Sequence, residues 1–341
     1  MRLPVCILLA LTLAGHSAAH ADVGQATSLS GVVAEVQPKI AKIYGAGGPR
    51  GLEPYQSGFL ISERGHVLTV WSYVLDTDAI VVTLDDGQRF EAKLVGADPK
   101  LELAVLKIEG AALPHFDLAK NTPADSGTRV LAFSNLFGVA TGEEPASVQH
   151  GIVSVKTQLD ARRGTFETPY RGPVYVVDAV TNNPGAAGGV LTNSRGRILA
   201  MLGKELRSST TGAWLNYAIP IDQLTESAQQ IMAGRFSPRP ADQKRKAEDP
   251  VNLATLGVTL VPDVLDRTPP YVEAILPDSV AERAGLEADD LVIFVGDYLV
   301  QSCKHLREEL AGVERGGDLR LVVMRDQELV EVVIKTSSSA R

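Results

Sequence analysis

The stretch AIVVTLDDGQRFEAKLV, Ala79 to Val95, joins two apolar runs, IVVTL and FEAKLV, through Asp85-Asp86-Gly87. Glycine supplies the positive φ that a tight turn requires, so the stretch predicts a β-hairpin. Working outward, SGFLI, HVLTV, LAVLKI, RVLAF, GIVSV, VYVVD, RILAML and LNYAIP recur between turn signals from Val32 to about Pro220. Many short strands at such spacing predict an all-β barrel or sandwich. A helix is expected next, from Asp222 to Ala233, with Asp222 as N-cap and Gly234 as its stop.

Arg235 to about Asn252 carries three prolines, mixed charges and little that is apolar, the composition of a linker. A compact second unit follows: strands TLGVTLV and YVEAIL, helix SVAERAG, strand DLVIFVG, helix SCKHLREELAG, and strands LRLVVM and LVEVVIK. Ser279 and Glu282 have capping-box spacing with Gly285 as the stop, while Ser302 and Gly312 bracket the second helix. Neither internal repeats nor low-complexity blocks occur, and Ser337 to Arg341 reads as a frayed tail.

At the N-terminus, Arg2 precedes an apolar run from Leu3 to Ala14 and small residues ending Ala19-His20-Ala21. This is the pattern of a cleavable secretory leader, residues 1–21, too short to span a bilayer. The expected mature protein is secreted or periplasmic and has no transmembrane segment. Cys6 leaves with the leader, so Cys303 remains alone and no intramolecular disulfide is expected; it reads as a small buried hydrophobe. The formal charge of −8 becomes −9 without Arg2, 32 basic residues against 41 acidic. No basic face is evident, which argues against nucleic acid and anionic membranes as partners.

Taken together, SGFLISERGHVLT, VTLDDGQRFEAKLVGADPKLELAVLKI, GIVSV, NNPGAAGGVLTN, NYAIPID, TLGVTL and DSVAERAGLEADDLV resemble the HtrA/Deg family of secreted trypsin-like proteases with a C-terminal PDZ domain. The resemblance covers nearly the whole mature chain. It implies an all-β double β-barrel over residues 22–234, a linker over 235–252, and a small α+β PDZ domain over 253–337. Catalysis in that family needs a hydroxyl nucleophile, an imidazole base and a carboxylate that orients the imidazole. By resemblance, the histidine falls in a run like Leu-Thr-Asn-Asn-His-Val-Val. Here Leu68–Val74 reads LTVWSYV, so Ser72 takes its place. The family aspartate falls in Asp-Pro-x-x-Asp-Leu-Ala; here DPKLELA puts Glu102 there. The family's Gly-Asn-Ser-Gly-Gly is matched by Gly185-Ala186-Ala187-Gly188-Gly189, so Ala187 stands where the serine should be.

Losing nucleophile or base alone costs about a millionfold in kcat in a measured serine protease. An alanine cannot attack a carbonyl, and the expectation is therefore a pseudoprotease. The alternative is a serine-type endopeptidase with a relocated catalytic group. His66 reads as a solvated turn residue, His115 and His150 have no suggestive partners, and His305 reads as a helix-surface residue. The backbone amides of Gly185 and Ala187 could still face an oxyanion; alternatively, the glycines persist only because the turn would otherwise be strained. GAGGPRG, Gly45–Gly51, reads as a surface loop and not a phosphate cradle. In the PDZ unit the resemblance implies a carboxylate loop at Thr255-Leu256-Gly257-Val258, with the helix from Ser302 to Ala311 as the other wall of the groove. Cys303, Leu306 and Leu310 form an apolar stripe there, and spacing does not say which of them face the groove. The implied partners are polypeptide C-termini, copies of this chain in a trimer, or active relatives. No cofactor and no metal is implied.

Overall fold

The computed structural model describes residues 28–45, 53–77, 79–163, 166–237, 247–263, 268–326 and 328–336. The leader, most of the Gly45–Gly51 loop and the frayed tail lie outside the described residues. Six strands close the first barrel: β1 Ile40–Tyr44, β2 Tyr55–Leu60, β3 His66–Val70, β4 Ile80–Thr83, β5 Arg89–Asp98 and β6 Leu103–Ile108, in the order β1-β2-β3-β6-β5-β4. The hairpin β4–β5 turns as its sequence dictates. Gly87 has φ +79°, and its amide donates to Leu84 O at 3.1 Å. Buried Ile43, Leu60, Val67, Val82 and Leu106 fill the interior.

A second barrel follows, built from β7 Arg129–Ser134, β8 Ser147–Gln158, β11 Pro173–Val177, β12 Val190–Asn193, β13 Ile198–Leu202 and β15 Tyr217–Pro220. The short β9 Ala161–Arg163, β10 Phe166–Glu167 and β14 Arg207–Ser208 form a side sheet. A core shared by the barrels, including Phe59, Leu68, Phe133, Val190 and Met201, runs along the seam where the candidate site sits. The fold is therefore the expected mostly-β pair of closed six-stranded barrels.

Two local expectations are corrected. Val32 does not open a β-rich run; it lies in α1, Leu29–Val36, where Ser28 Oγ accepts from Gly31 N at 3.2 Å. Val32 and Val36, spaced i and i+4, are buried in the shared core, which outweighs the strand preference of valine. The next helix, α2, spans Ile221–Met232 with Pro220 at its N-cap, so Asp222 sits in the first turn. Its charge still suits the helix N-terminus there.

Lys42 crosses the seam. Its side chain is buried, and Nζ donates to Gly142 O at 2.6 Å and Glu144 O at 2.8 Å, on the loop between β7 and β8. Burial lowers its pKa from the ordinary lysine value, with opposing help from Asp85, Glu144 and Asp86. Lys42→Met keeps the aliphatic bulk but strands two carbonyl acceptors. We expect a loss of about 2–3 kcal/mol in urea unfolding, since hydrogen bonds from charged groups contribute about that much. An unchanged midpoint would refute the clamp.

The second unit contains α3 Leu253–Leu256, β16 Val258–Leu260, β17 Val272–Ile275, α4 Val280–Arg283, β18 Leu291–Val295, β19 Tyr298–Leu299, α5 Cys303–Leu310, β20 Asp318–Arg325 and β21 Glu328–Lys335. The predicted caps are present: Ser279 Oγ accepts from Glu282 N and Ser302 Oγ from His305 N, both at 3.1 Å. Val258, Val272, Leu306, Val323 and Ile334 belong to its own core. Ile293, Phe294 and Leu299 turn the other way and join the first barrel's apolar cluster, where Phe294 meets Phe236 edge-on at 6.1 Å between ring centroids.

Candidate functional site

Ser72, Glu102 and Ala187 come from three separate segments, and the structure gives each a different neighbour. Ser72 follows β3 and caps the turn Tyr73–Leu75, its Oγ accepting from Val74 N at 3.1 Å. Its hydroxyl proton goes to Gln56 Oε1 in a short hydrogen bond. Gln56, buried on β2, is itself fixed, because Nε2 donates to Thr69 Oγ1 at 2.7 Å and Val70 O at 2.9 Å. The Ser72 hydroxyl is thus a structural donor and acceptor.

Glu102 lies in the turn between β5 and β6 with φ +54°, and its carbonyl accepts from Trp71 N at 2.9 Å. Asp98 holds that turn: Oδ1 accepts from Lys100 N at 3.1 Å, and Oδ2 accepts from Ser227 Oγ on α2 at 2.7 Å. The Glu102 side chain is 6% exposed, and Oε1 accepts from Lys204 Nζ at 2.9 Å. Oε2 is buried without a hydrogen-bond partner among the described residues. Lys204 follows β13 and Gly203, and its amide donates to the hydroxyl of Tyr217 at 3.1 Å. Burial, and then the charge of Glu102, push the Tyr217 phenol well above its ordinary range.

Ala187 sits on a loop pinned from both sides. Ser57 N donates to Ala187 O at 3.0 Å, and Ser57 Oγ donates to Gly185 O at 2.6 Å while accepting from Asn135 N at 2.7 Å. Gly185 and Gly188 have φ +83° and +82°. Ala186 N donates to Asn183 O at 3.1 Å, Gly188 N to Leu202 O at 3.0 Å and Gly189 N to Ala186 O at 3.0 Å. The amides of Gly185 and Ala187 have no acceptor among the described residues. Both residues line a cavity of about 230 Å³ with Tyr55, Gln56, Ser72 and Lys204.

Gln56 and Lys204 belong to this site without a motif of their own, whereas Ser57 opens the SGFLI run. His66 is corrected: it opens β3, is half-buried, and its Nδ1 lies 2.7 Å from Ser62 Oγ at the β2–β3 turn, away from the cavity residues. Burial, then Lys107 and Arg64, hold its pKa below the ordinary histidine value. His305 is half-buried, with Nε2 3.4 Å from Glu309 Oε1. Cys303 is fully buried, and burial pushes its thiol pKa up. No group of three metal-ligating side chains occurs among the described residues, and no helix among them is long and apolar enough to cross a membrane.

In the second unit, Thr255 and Leu256 are not in a loop but in α3, closed by a capping box between Asn252 and Thr255. Leu256 N donates to Asn252 O at 3.2 Å and Gly257 N to Ala254 O at 3.1 Å, and Gly257 ends the turn with φ +75°. Val258 begins β16, which pairs only with β17 among the described residues. Leu306 and Leu310 are both buried in the unit's core, 2% and 1% exposed.

Residues 56–201 match the family described as trypsin-like peptidase domain. The chain is 31% identical over 287 residues to a probable periplasmic serine endoprotease DegP-like of Halomonas elongata, covering 82% of this chain and 55% of that protein. It is 29% identical over 289 residues to the protein of the same description from Ectopseudomonas mendocina, covering 82% and 56%. The chain spans about half the length of the relatives it matches. Among solved structures, the serine endoprotease from Yersinia pestis aligns with a TM-score of 0.47 at 23% identity, over 92% of this chain and 99% of that one. Over its two closed six-stranded barrels the chain is thus similar to the trypsin-like peptidase domain, and over most of its length to proteins described as DegP-like periplasmic serine endoproteases.

Proposed function

We propose that this protein is a periplasmic HtrA-type pseudoprotease that holds polypeptide segments or C-terminal tails without cutting them, as a scaffold, chaperone or regulator of active relatives. The observation that carries this reading is Ala187. The residue at the apex of a fully pinned loop has no oxygen to add to a carbonyl, and the nearby Ser72 hydroxyl is committed to Gln56. The unpartnered amides of Gly185 and Ala187 remain suited to a peptide carbonyl or carboxylate. The relatives are named as periplasmic endoproteases, which favours the same compartment.

The second unit is read as a PDZ domain. A peptide would add as a strand on the open edge of β16, with its carboxylate near Leu256, Gly257 and Val258, and α5 with Leu306 and Leu310 behind the groove. Gly257→Trp is the test. A Cβ there would meet Ser279 Cβ at 2.4 Å in a backbone region that favours glycine. Affinity for free-acid C-terminal peptides is expected to fall by about tenfold or more in a fluorescence titration. Equal affinity for the variant, or equal binding of free-acid and amidated peptides by the wild type, would remove this site.

A further inference from the structure

A second cavity, of about 340 Å³, opens where the first barrel meets the second unit, walled by Trp71, Tyr73 and Tyr271 and bordered by Asp76, Glu102 and Lys204. It shares Ser72, Tyr73 and Lys204 with the cavity at Ala187, so the two adjoin. We propose that this junction cavity receives the ammonium or guanidinium side chain of a basic residue in a bound polypeptide, with Glu102 as its acceptor. The inference rests on the reading that the chain holds polypeptides.

Three observations converge on a cation. Glu102 is almost wholly buried and has satisfied only one of its oxygens, whereas an ionised carboxylate accepts about four hydrogen bonds. A buried acceptor without a donor costs free energy that an arriving N–H group would recover. Three aromatic residues, Trp71, Tyr73 and Tyr271, stand among the prolines and aliphatic side chains of the lining, and aromatic rings attract Lys and Arg. Among the described residues lining the junction cavity the one cation is Lys204, and it is already held by Glu102. A ligand carboxylate would meet an ammonium already held by Glu102, while a ligand cation would meet the unpartnered Oε2 of Glu102. Glu102 is therefore placed to take a cation from the ligand.

The test uses the full chain and two C-terminally amidated decapeptides that differ only in a central arginine or citrulline. Amidation removes the carboxylate on which the proposed groove at Gly257 depends. Calorimetric titration is expected to favour the arginine peptide by about tenfold, the scale of one charged hydrogen bond. Glu102→Gln, which keeps an oxygen for Lys204, should erase that preference. Lys204→Met should increase it, because the competing cation is gone. These opposite signs would not come from a merely structural pair. Equal affinities for the two peptides, no binding of either, or a preference unmoved by Glu102→Gln would overturn the proposal. If the wild type binds free-acid and amidated peptides equally but keeps the arginine preference, the groove fails and the cavity stands; free-acid selectivity without the arginine preference counts against the cavity alone.

Discussion

Returning histidine to position 72 and serine to position 187 is expected to yield only a weak peptidase, about two orders of magnitude above a wild type that neither cleaves casein nor reacts with a fluorophosphonate. In a measured serine protease, removing the whole triad costs about two millionfold in kcat and removing the aspartate alone about thirty-thousandfold. The double revertant has nucleophile and base, but its carboxylate is already ion-paired, since Lys204 Nζ holds Glu102 Oε1 at 2.9 Å. Adding Glu102→Asp and Lys204→Ala should raise kcat by about four orders more, because a carboxylate can then orient the imidazole. Gln56 loses its hydroxyl partner in every such variant, and Thr69 Oγ1 and Val70 O still hold its amide in place. Labelling of the wild type would end the pseudoprotease reading. A double revertant as active as the quadruple one would show that the Lys204 pairing does not matter.

The ion pair that decides this experiment joins residues 102 positions apart, and that separation explains what the sequence could and could not reveal. Local rules sufficed where partners are near in the chain. Asp85-Asp86-Gly87 specified its hairpin, and Ser279 and Ser302 specified their caps. The Glu102–Lys204 bond exists only because the two barrels meet, and the Gln56–Ser72 bond because β2 pairs with β3 in the first barrel; neither residue pair carries a local pattern. The α1 helix was missed for a related reason. Its valines favour strand until burial at i and i+4 against the seam is counted. His66 looked like turn because Gly65 precedes it with φ +87°, yet it already pairs with Lys107 across β3 and β6.

Gly188→Ala is expected to destabilise the protein by about 2–5 kcal/mol, while Ala187→Ser, one residue earlier, changes stability by less than about 0.5 kcal/mol. A Cβ on Gly188 would stand 2.2 Å from Ser57 O, 2.5 Å from Thr69 Oγ1 and 3.0 Å from Val70 N. Ser57 O already accepts from Thr69 Oγ1 at 2.6 Å, and Thr69 in turn supports Gln56. Relieving the clash therefore means moving backbone at the seam, an overpacking cost of about 1–3 kcal/mol. The φ of +82° adds about 1–2 kcal/mol for any residue with a Cβ. Ala187 borders the open cavity, so one more oxygen there has room. Gly185 repeats the pattern, with Asn135 O 2.2 Å from its would-be Cβ. Against a total stability of about 5–15 kcal/mol, the Gly188 substitution should lower the melting midpoint by roughly 10 °C in calorimetry. A neutral result would mean that packing does not hold these glycines, and their presence would then need a functional cause. The expected result removes that need: the loop keeps its glycines because the neighbouring barrel leaves no space for a side chain, so the two unpartnered amides persist whether or not a nucleophile stands between them.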